Sequence, residues 1–274
     1  MHITQKEATL YIIEEKLSPE VKTYLEENGV TIKSYNKIES DIKNVRQNIQ
    51  VSPTLNMKLF NAAGYPSSHD IDTGHKIMEI PSPVSLLKAV KNETEINGFR
   101  HAMERDGIAM VKFLKWLKEA VPAGNESELS VDRKLYELRA EQANFKGISF
   151  DTIAGYKEHA AIVHYEATPE TDIPLKPEGM LLLDSGAQYP DGTTDITRTI
   201  VLGPLSDEEK TDYTLVLKGF LQLQNAVFPE GTCGTQLDVL ARQAMWKAGI
   251  NYFTVQGMVS VISSVYTKGL TKSG

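Results

Sequence analysis

The chain has 274 residues, which is enough for one large domain or two modest ones. Its 41% hydrophobic and 24% charged residues are ordinary for a globular protein, and its net charge of −7 argues against nucleic acid as a partner. The single cysteine, Cys233, excludes an internal disulfide, and no apolar stretch is long enough to predict a membrane span or a membrane partner. Because the opening residues Met1-His2-Ile3-Thr4 also lack the form of a signal peptide, we expect a cytoplasmic protein.

Short apolar strands alternate with helical stretches in the first part of the chain. Strand-like sequences occur in three segments: Ala8 to Ile13, Val30 to Ser34 and Asn48 to Val51. A helix is predicted to begin after the N-cap candidate Ser18 and to end at Gly29, and a second is predicted for Ile38 to Val45. This rhythm predicts a small α/β unit, and Thr73 to Pro83, with prolines at 81 and 83 near its end, is its predicted junction with the rest of the chain.

The middle of the chain is predominantly helical. Ser85 to Val121 has apolar residues at helical spacing and predicts a helix or a helix pair, which the run beginning at Pro122 breaks. Ser130 to Phe145 predicts a further helix. Ala160 to Tyr165 is an apolar segment that we interpret as a strand carrying His164 near its end; a lone histidine after a strand is usually structural, so the pattern alone gives it no role.

An antiparallel hairpin is predicted between Met180 and Val201. An apolar run leads to Asp184, the turn Tyr189-Pro190-Asp191-Gly192 follows, and a Thr- and Ile-rich strand carries Asp195. In a regular hairpin we expect the two aspartates to face each other, with Cβ atoms roughly 4.5–5.5 Å apart. Such a carboxylate pair repels itself unless a cation lies between, and two divalent metals roughly 3.5–4 Å apart would suit it. The alternative is that one aspartate only caps the turn.

Two amphipathic helices are predicted after the hairpin, over Ser206 to Ala226 and over Leu237 to Ala248, the second ended by Gly249. The remaining tail, from Tyr252 onward, contains no His, Asp or Glu.

The segment DSGAQYPDGTTDITRT, with IVHY placed so that its histidine lies twenty residues before the first aspartate, resembles the catalytic domain of the Xaa-Pro aminopeptidases. These are dinuclear metallopeptidases of the pita-bread group, related to prolidase, methionine aminopeptidase and creatinase. The resemblance runs from about Leu86 to Tyr252. It implies an α/β (α+β) fold, with an incomplete pita-bread catalytic domain over residues 84–252 and part of a creatinase-type N-terminal or middle domain over residues 1–83.

The resemblance also implies roles for three residues. Asp184 matches a ligand of one metal, Asp195 matches the aspartate that bridges both metals, and His164 matches a histidine that contacts the peptide in the substrate pocket. The implied cofactors are two divalent metal ions, Mn²⁺ foremost, with Co²⁺ or Zn²⁺ as alternatives. The implied substrate is a peptide with proline in second position, from which the N-terminal residue is released, and family members often form homodimers.

The resemblance stops after Tyr252, where the family shows HGTGHGVG and then VHEGP. Suppose that this tail is the expected segment read one base out of register. Each expected histidine codon would then leave a residue whose codon begins AC or AT. The residues at the four expected histidine positions all have such codons: Thr254, Met258, Ile262 and Thr267. We therefore hypothesise that residues 253–274 are an out-of-frame remnant; the alternative is a divergent paralogue. One His and two Glu ligands then have no counterpart, so we expect weak or absent metal binding and little or no peptidase activity from these 274 residues.

Two other functions remain open. A non-catalytic pita-bread module that binds peptides or proteins would have no need of the aspartate pair, and a prolidase would act on dipeptides only. Retention of Asp184, Asp195 and His164 favours the aminopeptidase over the binding module. The motif DSGAQYPDGTTD favours the aminopeptidase over the prolidase.

Overall fold

The computed structural model describes residues 1–64 and 77–250 of the chain. Within these residues the backbone divides into two compact units, Met1–Lys88 and a second that begins at Ala89. The mixture of helices and strands agrees with the predicted α/β (α+β) class. The predicted tail segment 253–274 lies outside the described residues, and the predicted domain boundary after residue 83 stays a prediction.

The first unit combines short strands with short helices. In chain order its described elements are β1 (His2–Ile3), β2 (Ala8–Ile12), α1 (Pro19–Glu27), β3 (Val30–Ser34), α2 (Ile38–Lys43), β4 (Ile49–Val51), α3 (Met57–Ala62), β5 (Ile77–Glu79) and α4 (Pro83–Ala89). β2 and β3 pair in parallel with α1 as their crossover, and β1 joins β2 in antiparallel orientation. The predicted β-α-β unit is thus confirmed, and the predicted N-cap Ser18 accepts a hydrogen bond from the amide of Val21.

The third predicted strand does not extend this sheet. β4 pairs in parallel with β5, which lies in the segment that the sequence assigns to the domain junction. An ion pair joins α3 to α2: Lys58 binds Glu39 at 2.7 Å, and Lys43, which lies on α2 itself, binds the same carboxylate at 2.8 Å. Hydrogen bonds from Lys43 and then from Lys58 lower the pKa of Glu39 to about 2.

The second unit begins with long helices and continues into short sheets. Its described elements are α5 (Glu93–Ala123), α6 (Glu128–Ala140), β6 (Gly147–Ile148), β7 (Ile153–Tyr156), β8 (Met180–Ser185), β9 (Ala187–Tyr189), β10 (Gly192–Thr193), β11 (Ile196–Val201), α7 (Asp207–Gln224) and α8 (Gly234–Lys247). The predicted helix pair before residue 121 is present as α4 and α5. α5 passes through Pro122 and ends at Gly124, whose φ of 83° stops it, so the predicted break at Pro122 comes two residues too early.

The core of the second unit lies between α5, α6 and the sheet of β7, β8 and β11. β8 is the central strand, and its alternate residues Leu181 and Leu183 are fully buried against the helices. Phe113 and Leu117 of α5 and Leu135 of α6 meet them in the same cluster. The opposite face of β8, which carries Asp184, is only half-buried. The pleat therefore presents Asp184 away from the core at the end of a firmly packed strand.

The prediction of a strand over Ala160 to Tyr165 is wrong. The strand in this region is β7, and after it the chain forms a 3₁₀ turn over Lys157–Ala161. Gly155 allows that turn to fold back, since a Cβ there would lie 2.8 Å from the backbone nitrogen of Ala160. Lys157 and His164 both have positive φ, at 48° and 56°, which an extended strand cannot accommodate.

Candidate metal centre

One continuous hairpin carries both predicted metal-binding aspartates. β8 and β11 pair from Met180–Val201 to Ser185–Ile196, and β9 and β10 continue in the same register to Tyr189–Gly192. Only Pro190 and Asp191 remain in the loop. The predicted hairpin and its turn are therefore confirmed.

The predicted facing of Asp184 and Asp195 is wrong. Asp184 pairs with Thr197, and by the same register Asp195 falls beside Gly186. The reason is the count from the loop: Asp184 lies six residues before Pro190, whereas Asp195 lies four after Asp191. The aspartates are diagonal neighbours, whose Cα atoms are roughly 7–8 Å apart in a regular ladder.

The surroundings of Asp184 bring the three predicted site residues together. Thr197 Oγ1 donates a hydrogen bond to Asp184 Oδ1 at 2.7 Å. Burial raises the pKa of Asp184, and the negative charge of Asp195 raises it further. The Thr197 hydrogen bond and the nearby His164 act in the opposite direction and lower the pKa of Asp184. Asp195 and His164 are themselves exposed. One half-buried carboxylate thus lies within electrostatic reach of a second carboxylate and an imidazole.

His164 lies on a loop whose neighbouring residues are hydrogen-bonded to a buried carboxylate. Glu128, in the first turn of α6, is fully buried. Its carboxylate accepts hydrogen bonds from Tyr156 N and from Tyr165 Oη, both at 2.8 Å. The same carboxylate lies 3.0 Å from His159 Nδ1. These partners flank His164 on both sides, so Glu128 fixes the loop that presents it. Neither Glu128 nor His159 was predicted as a site residue, because the contact between them joins segments 31 positions apart in the sequence.

A second buried network supports the hairpin between the two aspartates. Asp106 of α5 and Arg139 of α6 form two hydrogen bonds, from Nε to Oδ1 at 2.7 Å and from Nη2 to Oδ2 at 3.1 Å. Thr194 Oγ1 donates to the same Asp106 Oδ2 at 2.8 Å, and Arg139 Nη1 donates to the carbonyl of Gly186 at 3.4 Å. A charge at Asp106 within an otherwise apolar helical stripe was the signal available in the sequence.

The donor set fits part of a metal centre. Carboxylate oxygens suit hard or borderline divalent ions such as Mn²⁺, and a cation beside Asp184 and Asp195 would relieve their mutual repulsion. Within residues 1–64 and 77–250, no group of three or more His, Cys, Asp or Glu side chains is arranged to hold a metal ion. The described site therefore supplies two candidate carboxylate ligands and one neighbouring imidazole.

Family models match almost the whole chain. Residues 97–267 match the model of metallopeptidase family M24, and residues 1–95 match that of the creatinase/prolidase N-terminal domain. The chain belongs to metallopeptidase family M24. The two matched regions agree in order with the resemblance to a creatinase-type domain followed by a pita-bread domain.

Curated relatives and a solved structure are similar to this chain over most of its length. Proteins of Botryotinia fuckeliana and Neurospora crassa, both named probable Xaa-Pro aminopeptidase P, are each 41% identical over 91% of this chain, which covers 39% and 37% of theirs. The X-prolyl aminopeptidase of Caenorhabditis elegans, described as a cytosolic enzyme with a di-nuclear active site, is 31% identical with a TM-score of 0.79, over 91% of this chain and 41% of that one. The prolidase of Pyrococcus furiosus shares the fold, with a TM-score of 0.62 at 22% identity over 89% of this chain and 67% of its own.

These similarities confirm the resemblance to the Xaa-Pro aminopeptidases. The chain spans about two fifths of the length of the curated relatives that it matches. Among the helices of the described residues, none combines the length and the apolar character that a membrane crossing requires.

Proposed function

We propose that this chain is the part of a Xaa-Pro aminopeptidase that supplies two aspartate ligands and one substrate-pocket histidine. Asp184 would bind one metal, Asp195 would bridge two, and His164 would contact the peptide. The main support is the hairpin register, which makes Asp195 a diagonal neighbour of Asp184; the charges of Asp195 and His164 both act on the half-buried carboxylate of Asp184. The domain limits that we propose are 1–83, 84–252 and 253–274.

The chain's own residues perform positioning and binding in this scheme. Thr197 donates to Asp184 Oδ1 and so fixes the orientation of that carboxylate. His164, exposed at the tip of a loop held by Glu128, offers an imidazole that donates or accepts a hydrogen bond near neutral pH. When bound, two divalent metals would supply Lewis-acid chemistry, lowering the pKa of a bound water and polarising the scissile carbonyl. The substrate would be a peptide with proline in second position, whose tertiary amide has no N–H and a fixed φ.

We further propose that a protein made of these 274 residues binds metal weakly and has little or no peptidase activity. The pattern implied by the family needs one His and two Glu beyond the two aspartates, and no His, Asp or Glu follows Asp238 in this sequence. The proposed frameshift concerns residues outside those the structure describes. The match to the M24 model extends to residue 267 and therefore includes part of this tail. In-frame coding DNA that cannot be re-read as HGTGHGVG would favour the divergent paralogue over the frameshift.

The remaining assignments follow from the family resemblance and, for the location, from one relative. We propose Mn²⁺ as the metal, with Co²⁺ and Zn²⁺ as the tested alternatives, a cytoplasmic location and a homodimer. The cytoplasmic location is supported by the Caenorhabditis elegans protein, which is described as cytosolic. The homodimer rests on the family resemblance alone, and size-exclusion chromatography with light scattering tests it.

A metal titration followed by NMR tests the site assignment. Millimolar Mn²⁺ added to the isotope-labelled 274-residue chain is expected to broaden the signals of Asp184 and Asp195. Each of Asp184→Ala and Asp195→Ala should weaken the effect, whereas Asp207→Asn, which changes a fully exposed aspartate of α7, should not. Absence of any Mn²⁺ effect at both aspartates would refute the metal assignment.

A peptidase assay on the same samples tests the predicted inactivity. With Mn²⁺ present, we expect no release of the first residue from a peptide with proline in second position. Metal-dependent cleavage that is lost in Asp184→Ala would refute the inactivity while supporting the aminopeptidase assignment. Binding of a peptide without any Mn²⁺ effect at the aspartates would instead support the non-catalytic binding module.

A further inference from the structure

The hairpin changes its hydrogen-bonding pattern at the step between the two aspartates. Thr194 N donates to the carbonyl of Ala187 at 2.9 Å, as expected for a ladder. The reverse bond is different, since Ala187 N donates to the side-chain Oγ1 of Thr194 at 2.9 Å. The carbonyl of Thr194 instead accepts from Ser149 Oγ at 2.9 Å. A hydroxyl has therefore taken the place that a backbone carbonyl has in a regular ladder.

The direction of that hydroxyl is set by Asp106. A threonine hydroxyl carries one proton, which Thr194 donates to Asp106 Oδ2 at 2.8 Å, so that a lone pair remains for Ala187 N. Asp106 is held in turn by two hydrogen bonds from Arg139. Thr194 is 1% exposed and the other two are fully buried, so water does not compete for these bonds.

The same step is closely packed. A Cβ on Gly186 would lie 2.1 Å from the carbonyl oxygen of Thr194 and 2.1 Å from Ser149 Oγ. Only glycine fits this approach, and it lies beside Asp195 in the hairpin register. The backbone at Thr194, directly before Asp195, is therefore fixed by contacts within the second unit.

We propose that Thr194 and Asp106 are positioning residues for the carboxylate of Asp195. The Thr194 hydroxyl, oriented by Asp106, replaces the Thr194 carbonyl as acceptor for the Ala187 amide, and the altered backbone at Thr194 sets the direction of the Asp195 side chain relative to Asp184. This inference rests on the proposed metal role of Asp195. It predicts that the Thr194 hydroxyl controls metal binding at Asp195 and not only the stability of the hairpin.

The test compares Thr194→Val, which removes the hydroxyl at nearly constant shape, with Thr194→Ser, which keeps it. Thr193→Val is the matched control, because Thr193 is the neighbouring exposed residue and its hydroxyl donates to the side chain of Gln188. Two quantities are measured on the full 274-residue chain: the hydrogen-exchange rate of the Ala187 amide, and the Mn²⁺ concentration that broadens the Asp195 signals.

Thr194→Val is expected to raise both quantities about tenfold, the change in an equilibrium that corresponds to one lost hydrogen bond. Thr194→Ser and Thr193→Val should behave as the unmodified chain does. If Thr194→Val does not fold, the comparison is made with Thr194→Cys, whose thiol is a weak donor and acceptor.

Two results would overturn the inference and are distinguishable from each other. Faster exchange at Ala187 with unchanged Mn²⁺ broadening at Asp195 would show that the hydroxyl stabilises the hairpin without positioning the carboxylate. Absence of Mn²⁺ broadening at Asp184 and Asp195 in the unmodified chain would refute the metal assignment itself, and the positioning role with it.

Discussion

Breaking the buried pair of Asp106 and Arg139 is expected to destabilise the second unit far more than breaking a surface pair. Asp106→Asn leaves the guanidinium of Arg139 buried without its counter-charge, and breaking a buried pair in this way costs about 3–5 kcal/mol. A matched surface pair joins the same two helices: Lys112 of α5 binds Glu141, just after α6, at 2.8 Å, with both side chains about half exposed. Glu141→Gln should cost about 0–1 kcal/mol, because water screens that pair.

Urea unfolding measured by tryptophan fluorescence tests this difference. The chain has two tryptophans, and in a Trp246→Phe background the signal comes from Trp116, which packs against Phe113 of the core. The double variant Asp106→Asn with Arg139→Met removes the uncompensated charge and should be more stable than Asp106→Asn alone. Equal losses from the two carboxylate variants, or a double variant whose loss is the sum of the singles, would contradict the reasoning.

Three further predictions concern single groups. Because its two lysine partners hold the pKa of Glu39 at about 2, below the usual 4.5, its stabilisation is complete above pH 4.5 and is lost as the pH falls towards 2; thermal unfolding between pH 6 and pH 2 should show this loss, and Glu39→Gln should abolish that part of the pH dependence. Gly186→Ala should cost about 1–3 kcal/mol in urea unfolding through overpacking, whereas Gly107→Ala on α5, where a Cβ meets nothing within 4 Å, should be neutral or stabilising; equal effects would refute the close approach. Glu128→Gln places an NH₂ group against a donor in a fully buried site, so it should cost about 1–3 kcal/mol and speed exchange of the Tyr156 amide, and an unchanged exchange rate would count against the network.

Local signals in the sequence predicted much of the secondary structure. The helix after Ser18 starts with the predicted side-chain cap, and the helix predicted from Ser206 begins directly after that residue, since helix starts depend on neighbours within four positions. The hairpin and its Pro190-Asp191 loop were equally local. The predicted strand around His164 failed because an apolar run has no fixed geometry by itself, and Gly155 turned the chain back instead.

The sequence by itself determined the helix caps, the hairpin and the motif that marks a metallopeptidase, because each depends on residues close together in the chain. Only the tertiary structure decided the arrangement of the site. It placed Thr197 opposite Asp184, and it brought Asp106 to Thr194 across 88 positions of sequence. It also buried Glu128 beneath the loop of His164. The physical reason is that strand register and buried polar networks are selected by packing between distant segments, and the periodicity of one segment carries no information about that packing.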